Sequence, residues 1–357
     1  MDAKPHQRVR YLRTEDGVRL AWAEIGTGPL LVKAANWLSH LEYELKSPVW
    51  GHWIRFFGDH FRFLRWDERG CGLTDREIDE LSFERWLGDL EAVVAASGVE
   101  EPFTLLGISS GAAICVAYAA RHPERISRMV LYGGYARGWA RRGHSETERQ
   151  YRAMIELMRV GWGKENPVFR QIFTSRFIPG ATEAQIGWYN ELLRRTSTGE
   201  AAARLLEARS TVEVSDLLGA ITAPTLVIHS RDDEICPVTE ARHLAAGIRD
   251  AQFVELDSRN HILLEDEPAW ARFQEVVLDF TGLPAPRGED SAFAGLTARE
   301  REILVLISEG LANAAIGERL EISEKTVRNH ISNLFDKLGV WSRAQAIVFA
   351  RDRGFRP

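Results

Sequence analysis

Between residues 103 and 113 the chain reads Phe-Thr-Leu-Leu-Gly-Ile-Ser-Ser-Gly-Ala-Ala, an apolar strand that passes without a loop into a helix of small residues. Gly107 and Gly111 flank Ser109 as G-x-S-x-G. A serine on so sharp a turn needs neighbours without a Cβ, because the two backbones approach closely. The turn lifts the hydroxyl above the sheet at a helix N-terminus, where peptide dipoles favour developing negative charge. It therefore requires a sheet behind it and a helix ahead, and it offers a serine nucleophile.

The surrounding sequence supplies both. Val18, Leu20 and Trp22 alternate with Arg19, Ala21 and Ala23 behind Glu15-Asp16-Gly17, predicting an N-terminal hairpin with one face buried. Later apolar runs do not alternate: Leu30–Ala34, Phe61–Trp66, Phe103–Ile108, Ile126–Tyr132, Thr225–Ser230 and Gln252–Leu256. Such runs predict strands buried on both faces. Helical patterns over Phe83–Ser97, Gly111–His122, Thr239–Gly247 and Pro268–Thr281 lie between most of them, giving an α/β body with a mostly parallel sheet covered on both sides.

A serine nucleophile needs a base and a group that orients the base. Ser230-Arg-Asp-Asp233-Glu-Ile-Cys-Pro237 follows one predicted strand, and Asp257-Ser-Arg-Asn-His261-Ile-Leu-Leu-Glu-Asp-Glu-Pro268 follows another. The order Ser109, Asp233, His261 places each residue just past a strand's C-terminal end, where open α/β sheets form their crevice. Over residues 10–282 the chain resembles the α/β-hydrolase superfamily. Trp66-Asp67-Glu-Arg69-Gly70-Cys-Gly72-Leu-Thr-Asp75 is similar to that family's D-x-R-G-x-G-x-S/T-D loop. The two later segments resemble G-x-x-D-x-x-V-P and G-H-x-x-x-x-E-x-P without matching every position, with Ser230 for the usual glycine and Asn260 before the histidine. The resemblance implies Ser109 as nucleophile, His261 as base and then acid, and Asp233 as its orienting carboxylate. Asp232 is the nearest rival, and the spacing to Pro237 favours Asp233.

Where that family carries His-Gly-x, this chain has Ala34-Ala-Asn36-Trp37-Leu-Ser-His40. Aligned strand ends make the Trp37 and Ser110 amides the two oxyanion donors, on a loop that Asn36 leaves less free than glycine would. Residues 135–218 are helically patterned and carry Tyr135, Trp139, Tyr151, Met154, Met158, Trp162, Phe169, Phe173, Phe177, Trp188 and Tyr189. The resemblance makes this a cap, and its rings imply a hydrophobic or aromatic small molecule or serve to pack the cap onto the body.

Composition divides the chain. It has 357 residues, 45% of them hydrophobic and 27% charged, which suffices for a large core and excludes a disordered or disulfide-scaffolded chain. Cys71, Cys115 and Cys236 lack metal-type spacing, and no cofactor or metal is expected. No signal-like or membrane-length apolar run occurs, so a cytoplasmic protein without a membrane partner is expected. The net charge is −6, yet residues 293–357 hold ten Lys/Arg against eight Asp/Glu. Leu283-Pro-Ala-Pro-Arg-Gly-Glu-Asp-Ser separates an acidic body from this mildly basic tail. We read a body over 1–284, a linker over 285–295 and a tail over 296–357.

Leu296-Thr297-Ala-Arg-Glu300 is a capping box that opens a helix ending at Gly310. A second helix starts at Asn313, and Glu321-Ile-Ser323 turns into a third that buries Val327, Ile331, Leu334 and Leu338. A fourth starts at Ser342. Two short helices joined by a tight turn, the second offering Arg and Asn, make a helix-turn-helix. Leu296–Leu304 and Ile322–Val340 resemble the L-T-x-R-E-x-E-[IV]-L and I-S-x-x-T-V-x-x-H-x-x-x-[IL]-x-x-K-L-x-V patterns of the LuxR-type DNA-binding domain, with Trp341 where a polar residue is usual. The resemblance implies that Arg328, Asn329 and Ser332 face base edges of double-stranded DNA, that Lys325, Thr326, Lys337 and Ser342 hold phosphates, and that the fourth helix dimerises. The tail's small charge predicts a homodimer on a two-fold-related site, with avidity between two weak half-sites making up the affinity.

The expectation is a transcriptional regulator whose α/β-hydrolase body binds a small ester, lactone or amide and either cleaves it or serves as a receptor. The alternative is a serine hydrolase whose tail mediates oligomerisation. A third reading has the body dock another protein.

Overall fold

The computed structural model describes residues 7–284, 293, 296–352 and 355. The chain divides into two compact units, Met1–Thr281 and Gly282–Pro357. The linker read over residues 285–295 lies outside the described residues, apart from Phe293, which packs into the core of the smaller unit.

In the larger unit β1 (Arg8–Arg13), β2 (Arg19–Ile25), β3 (Leu30–Lys33), β4 (Arg62–Trp66), β5 (Phe103–Ile108), β6 (Ile126–Tyr132), β7 (Thr225–Ser230) and β8 (Gln252–Leu256) form one sheet in the order β1-β2-β4-β3-β5-β6-β7-β8. β2 pairs antiparallel with β1 and β4, and every later pair is parallel. Parallel neighbours need crossovers. These run through α1 (Gly51–His60), α2 (Phe83–Ala96), α3 (Gly111–Arg121), the cap helices α4 (Ser145–Gly161), α5 (Val168–Phe177), α6 (Glu183–Thr196) and α7 (Gly199–Ala208), and α8 (Val238–Gly247); α9 (Pro268–Thr281) closes the unit. β5 is buried along its whole length, as its unbroken apolar run requires.

Two expectations change. β2 does not have one buried face: Ala21 and Ala23 are as inaccessible as Leu20 and Trp22, because they pack beneath Leu41. Helix α1, which no sequence pattern announced, buries Trp53, Phe56 and Phe57 at a position where the strand-to-strand connection needed cover.

The loop after β4 is held by charge. Asp67 accepts the Leu41 and Leu73 amides at 2.9 and 2.8 Å. Arg69 binds both oxygens of Asp89 at 2.7 and 2.5 Å and reaches Asp16 at 2.9 Å, with Arg69 and Asp89 almost fully buried.

In the smaller unit helices span Ala298–Ser308, Asn313–Leu320, Glu324–Leu338 and Arg343–Asp352. The Thr297–Glu300 capping box forms, and Ser323 caps the third helix. Ile303, Ile307, Ile316, Val327 and Ile331 make one core cluster, and Leu304, Leu334, Leu338 and Ala346 another. Glu321 takes the left-handed conformation at the turn. A Cβ at Gly317 would come within 2.8 Å of the Ile322 carbonyl, which is why the turn can be so tight. No helix among the described residues is long and apolar enough to cross a membrane.

Replacing Arg69 by methionine strands the Asp89 carboxylate in the core. The expected loss is about 3–5 kcal/mol, measured by urea denaturation of the full chain.

Candidate functional site

Ser109 sits between β5 and α3 with φ 54°, a conformation that a side chain bearing a Cβ adopts only under constraint. The constraint is close packing. A Cβ on Gly107 would lie 2.7 Å from the Ala112 Cα, and one on Gly111 would lie 3.1 Å from the Ala35 carbonyl. The Ser109 amide donates to the Tyr132 carbonyl at 2.9 Å, which ties the turn to the end of β6.

Asp233 and His261 meet from the ends of β7 and β8. The His261 Nδ1 lies 2.6 Å from Asp233 Oδ2, with both side chains buried. An ionised carboxylate only accepts, so Nδ1 carries the proton and Nε2 keeps its lone pair. Nε2 is buried and has no hydrogen-bond partner among the described residues. Ser109 Oγ also makes no hydrogen bond among them, so the serine and histidine are not bonded to each other. Such contacts commonly tighten only when substrate binds. Burial pushes the Asp233 carboxyl toward a higher pKa, but the His261 ring beside it, assisted by His229 and the Cys236 amide, holds it below the usual carboxylate range. The Ile235 and Cys236 amides donate to Asp233 Oδ1 at 2.8 and 3.1 Å. Asp232 is exposed and does not bond to His261.

Sequence reasoning missed three supports. His229, at the end of β7, binds the Cys236 carbonyl at 2.7 Å and stands 3.6 Å from Asp233. Gly133, at φ 59°, lets the His261 ring close in, since a Cβ there would meet Cε1 at 3.2 Å; the Gly133-Gly134 doublet after β6 was the available signal. The acid that ties the histidine loop is Glu267, which accepts from Ser258 Oγ, Asn260 Nδ2 and the Leu264 amide at 2.6, 3.1 and 2.6 Å. Asn260, in place of the usual glycine, also accepts the Gly180 amide of the cap at 2.9 Å.

On the loop after β3, the left-handed residue is Leu38, at φ 58°, and not Asn36. Asn36 is tied to the ammonium of Lys33, a fully buried cation whose pKa burial lowers to about 8. Neither the Trp37 nor the Ser110 amide donates to an acceptor among the described residues, and both residues line the cavity above Ser109. That cavity is narrow, with a volume of about 40 Å³. Tyr135, Trp139, Tyr151, Met154, Phe173 and Phe177 of the cap line it together with Arg142, Arg176 and Arg209. Met158, Trp162, Phe169, Trp188 and Tyr189 do not. Trp162 bonds the Leu193 carbonyl and Trp188 stacks on Tyr43, so these rings pack the cap. Among the described residues no group of three His, Cys, Asp or Glu side chains could hold a metal.

In the smaller unit Lys325, Arg328, Asn329 and Ser332 are exposed on the third helix, opposite its buried Val327, Ile331 and Leu334. Thr326 is half-buried and shares a hydrogen bond with Ser323. Ser342 is exposed. Lys337 is not a free cation: its ammonium lies 2.7 Å from buried Glu300, because that carboxylate closes the capping box and needs a counter-charge.

A sheet of this order with a serine turn, an acid and a histidine at its strand ends, under a helical cap, defines an α/β-hydrolase fold, and the second unit is a helix-turn-helix. Residues 54–268 match the family model described as serine aminopeptidase, S33, and residues 294–350 that of the bacterial regulatory proteins, luxR family. The chain belongs to this family of α/β hydrolases and carries a LuxR-type DNA-binding domain. It is 28% identical over 260 residues to the AB hydrolase superfamily protein YisY of Bacillus subtilis, covering 70% of this chain and 91% of that one. It is 51% identical over 59 residues to the DNA-binding transcriptional activator DevR/DosR of Mycobacterium tuberculosis, which is 16% of this chain and 27% of that one. A crystal structure of a hydrolase from Pseudomonas aeruginosa superposes with a TM-score of 0.64 at 23% identity, over 77% of this chain and 98% of the other.

The histidine loop carries a pH dependence. His52 and Trp53 of α1 both bond the Leu263 carbonyl at 3.0 Å. Burial lowers the His52 pKa to about 4. The unfolded chain takes up this proton near pH 6.5 and the folded one does not, so its contribution is intact above 6.5 and is lost as pH falls toward 4. The expected loss is up to about 3 kcal/mol, and His52→Gln should flatten that part of the stability profile in pH-dependent melts.

Proposed function

We propose that the chain is a cytoplasmic transcriptional regulator whose hydrolase-fold body binds a small hydrophobic or aromatic ester, lactone or amide and cleaves it at Ser109, while a dimer of its tail reads DNA. The observation that carries the reading is the strained Ser109, at the base of a cavity lined by aromatic rings, together with the Asp233–His261 pair. In this reading the Ser109 hydroxyl attacks the carbonyl carbon and passes its proton to Nε2 of His261. Asp233 steadies the imidazolium that results, and the Trp37 and Ser110 amides receive the oxyanion. The proton on His261 then goes to the leaving alcohol or amine, and water repeats the sequence on the acyl-serine.

Arg328, Asn329 and Ser332 take the base edges, and Lys325, Thr326 and Ser342 the phosphates. Lys337 joins them by leaving or sharing Glu300. Trp341 is 87% exposed and Val348 is 45% exposed near the start and middle of the fourth helix, an apolar surface that supports pairing of two tails there.

Two tests follow. A phosphonofluoridate loses fluoride to an activated serine, so it should label Ser109 of the full chain, and labelling should vanish in Ser109→Ala and fall at least about a hundredfold in His261→Ala. An unlabelled wild-type protein would refute the catalytic half. On a duplex selected from a random pool, Arg328→Ala and Asn329→Ala should each weaken binding by about 1–3 kcal/mol, as read by fluorescence anisotropy. Unchanged affinity would return the tail to an oligomerisation role.

A further inference from the structure

Three guanidinium groups, Arg142, Arg176 and Arg209, line a cavity whose other lining, apart from Ser109 and Ser110, is aromatic rings, Met154 and aliphatic side chains. Charges taken from water into such surroundings are normally paired. Arg209 is: its Nη2 bonds Glu68, buried beside it, and its Nη1 donates to the Leu205 carbonyl at 2.8 Å. Arg142 and Arg176 are both half-buried, and neither has a carboxylate partner among the described residues.

They are nevertheless held in place. Arg142 lies over the Tyr135 ring at 4.8 Å and donates its Nε to the Arg137 carbonyl at 2.9 Å, which leaves both Nη groups without a hydrogen bond among the described residues. Arg176 lies over the Tyr151 ring at 5.4 Å, with one Nη on the Glu234 carbonyl at 2.6 Å and the other only on the Met154 sulfur at 3.4 Å. Tyr151 is itself fixed by its hydroxyl on the Ile235 carbonyl at 3.0 Å and by stacking on Trp139 at 5.0 Å. Ring faces and carbonyls orient a guanidinium without cancelling its charge. The same two arginines also line the neighbouring depression with Asp233, Glu234 and His144, so they stand where the inner cavity meets the surface.

We propose that Arg142 and Arg176 bind a carboxylate, and that the molecule the cavity takes is an ester, lactone or amide carrying a second, free carboxylate. The inference rests on the reading of Ser109 as the centre of that cavity. A planar carboxylate matches the open edges of the two guanidinium groups, and in this apolar setting charge-assisted hydrogen bonds count for more than they do in water. Asp233 does not compete for them, since its oxygens are taken by His261 and two amides.

The test uses the full chain with Ser109→Ala, so that ligands bind without being consumed, and isothermal titration calorimetry with two matched pairs. Monophenyl adipate against phenyl hexanoate puts the charge on the acyl side, and 4-acetoxybenzoate against phenyl acetate puts it on the leaving group. The expected result is that in at least one pair the anion binds tenfold or more tightly than its neutral partner. Arg142→Leu and Arg176→Leu should each remove about threefold or more of that preference, and the double variant all of it, while leaving neutral binding within about twofold, which also shows the cavity is intact. Arg142→Lys should restore only part, because an ammonium lacks the planar fork. Equal binding within both pairs, a preference that survives the double leucine variant, or no binding by any of the four compounds would overturn the proposal. Phenol release by the wild-type chain separates it from the catalytic reading: turnover without preference sinks the carboxylate site alone, and preferential binding without turnover sinks hydrolysis alone.

Discussion

The body is organised around one backbone compromise, the left-handed Ser109 wedged between β5 and α3. It is paid for by absent side chains, since Gly107 has no room for a Cβ against Ala112 and Gly111 almost none against the carbonyl of Ala35. The Ser109 amide then bonds the Tyr132 carbonyl, which leads straight into Gly133, where a second left-handed residue clears space for His261. Three strand ends are thereby brought to one point. The cap is coupled to the same place, because the His261 amide donates to the Phe177 carbonyl and the Phe177 ring stands edge-on to the imidazole at 5.2 Å.

Polar groups around this point are satisfied in a graded way. Asp233 accepts from an imidazole and two amides, and Glu267 from a hydroxyl, an amide side chain and a backbone amide. Among the described residues the groups without a hydrogen-bond partner include those a reacting ester would use, the His261 Nε2, the Ser109 hydroxyl and the amides of Trp37 and Ser110, beside others such as the Trp37 Nε1, the Ser110 hydroxyl and the His229 Nδ1. Buried polar groups are seldom left unpaired in folded proteins, so a constellation of them in one cavity is a functional signal.

Much of this was legible in the sequence because the governing rules are local. Non-alternating apolar runs gave β5 to β8 their exact spans, and the capping residues Thr297 and Ser323 placed the tail's helices. The order of Ser109, Asp233 and His261 along the chain could be read from strand-end positions. What was not legible depends on contacts between distant segments. Ala21 and Ala23 are small enough to read as either face of a strand until Leu41 covers them. Arg142 and Arg176 are ordinary helical-region cations until Tyr135 and Tyr151 turn them toward the cavity. Lys337 matched a phosphate-binding pattern, but its carboxylate partner lies in the capping box of another helix.

In the function proposed for this chain, occupancy of the cavity changes what the tail does. The most direct measurement is the DNA affinity of the full-length Ser109→Ala chain on a selected duplex, with and without a saturating carboxylate-bearing ester that it binds. Coupling between two sites of one protein is typically about 1–3 kcal/mol, so the account predicts a change in Kd of fivefold or more, in either direction. An affinity that stays the same within error while calorimetry shows the cavity filled would contradict it.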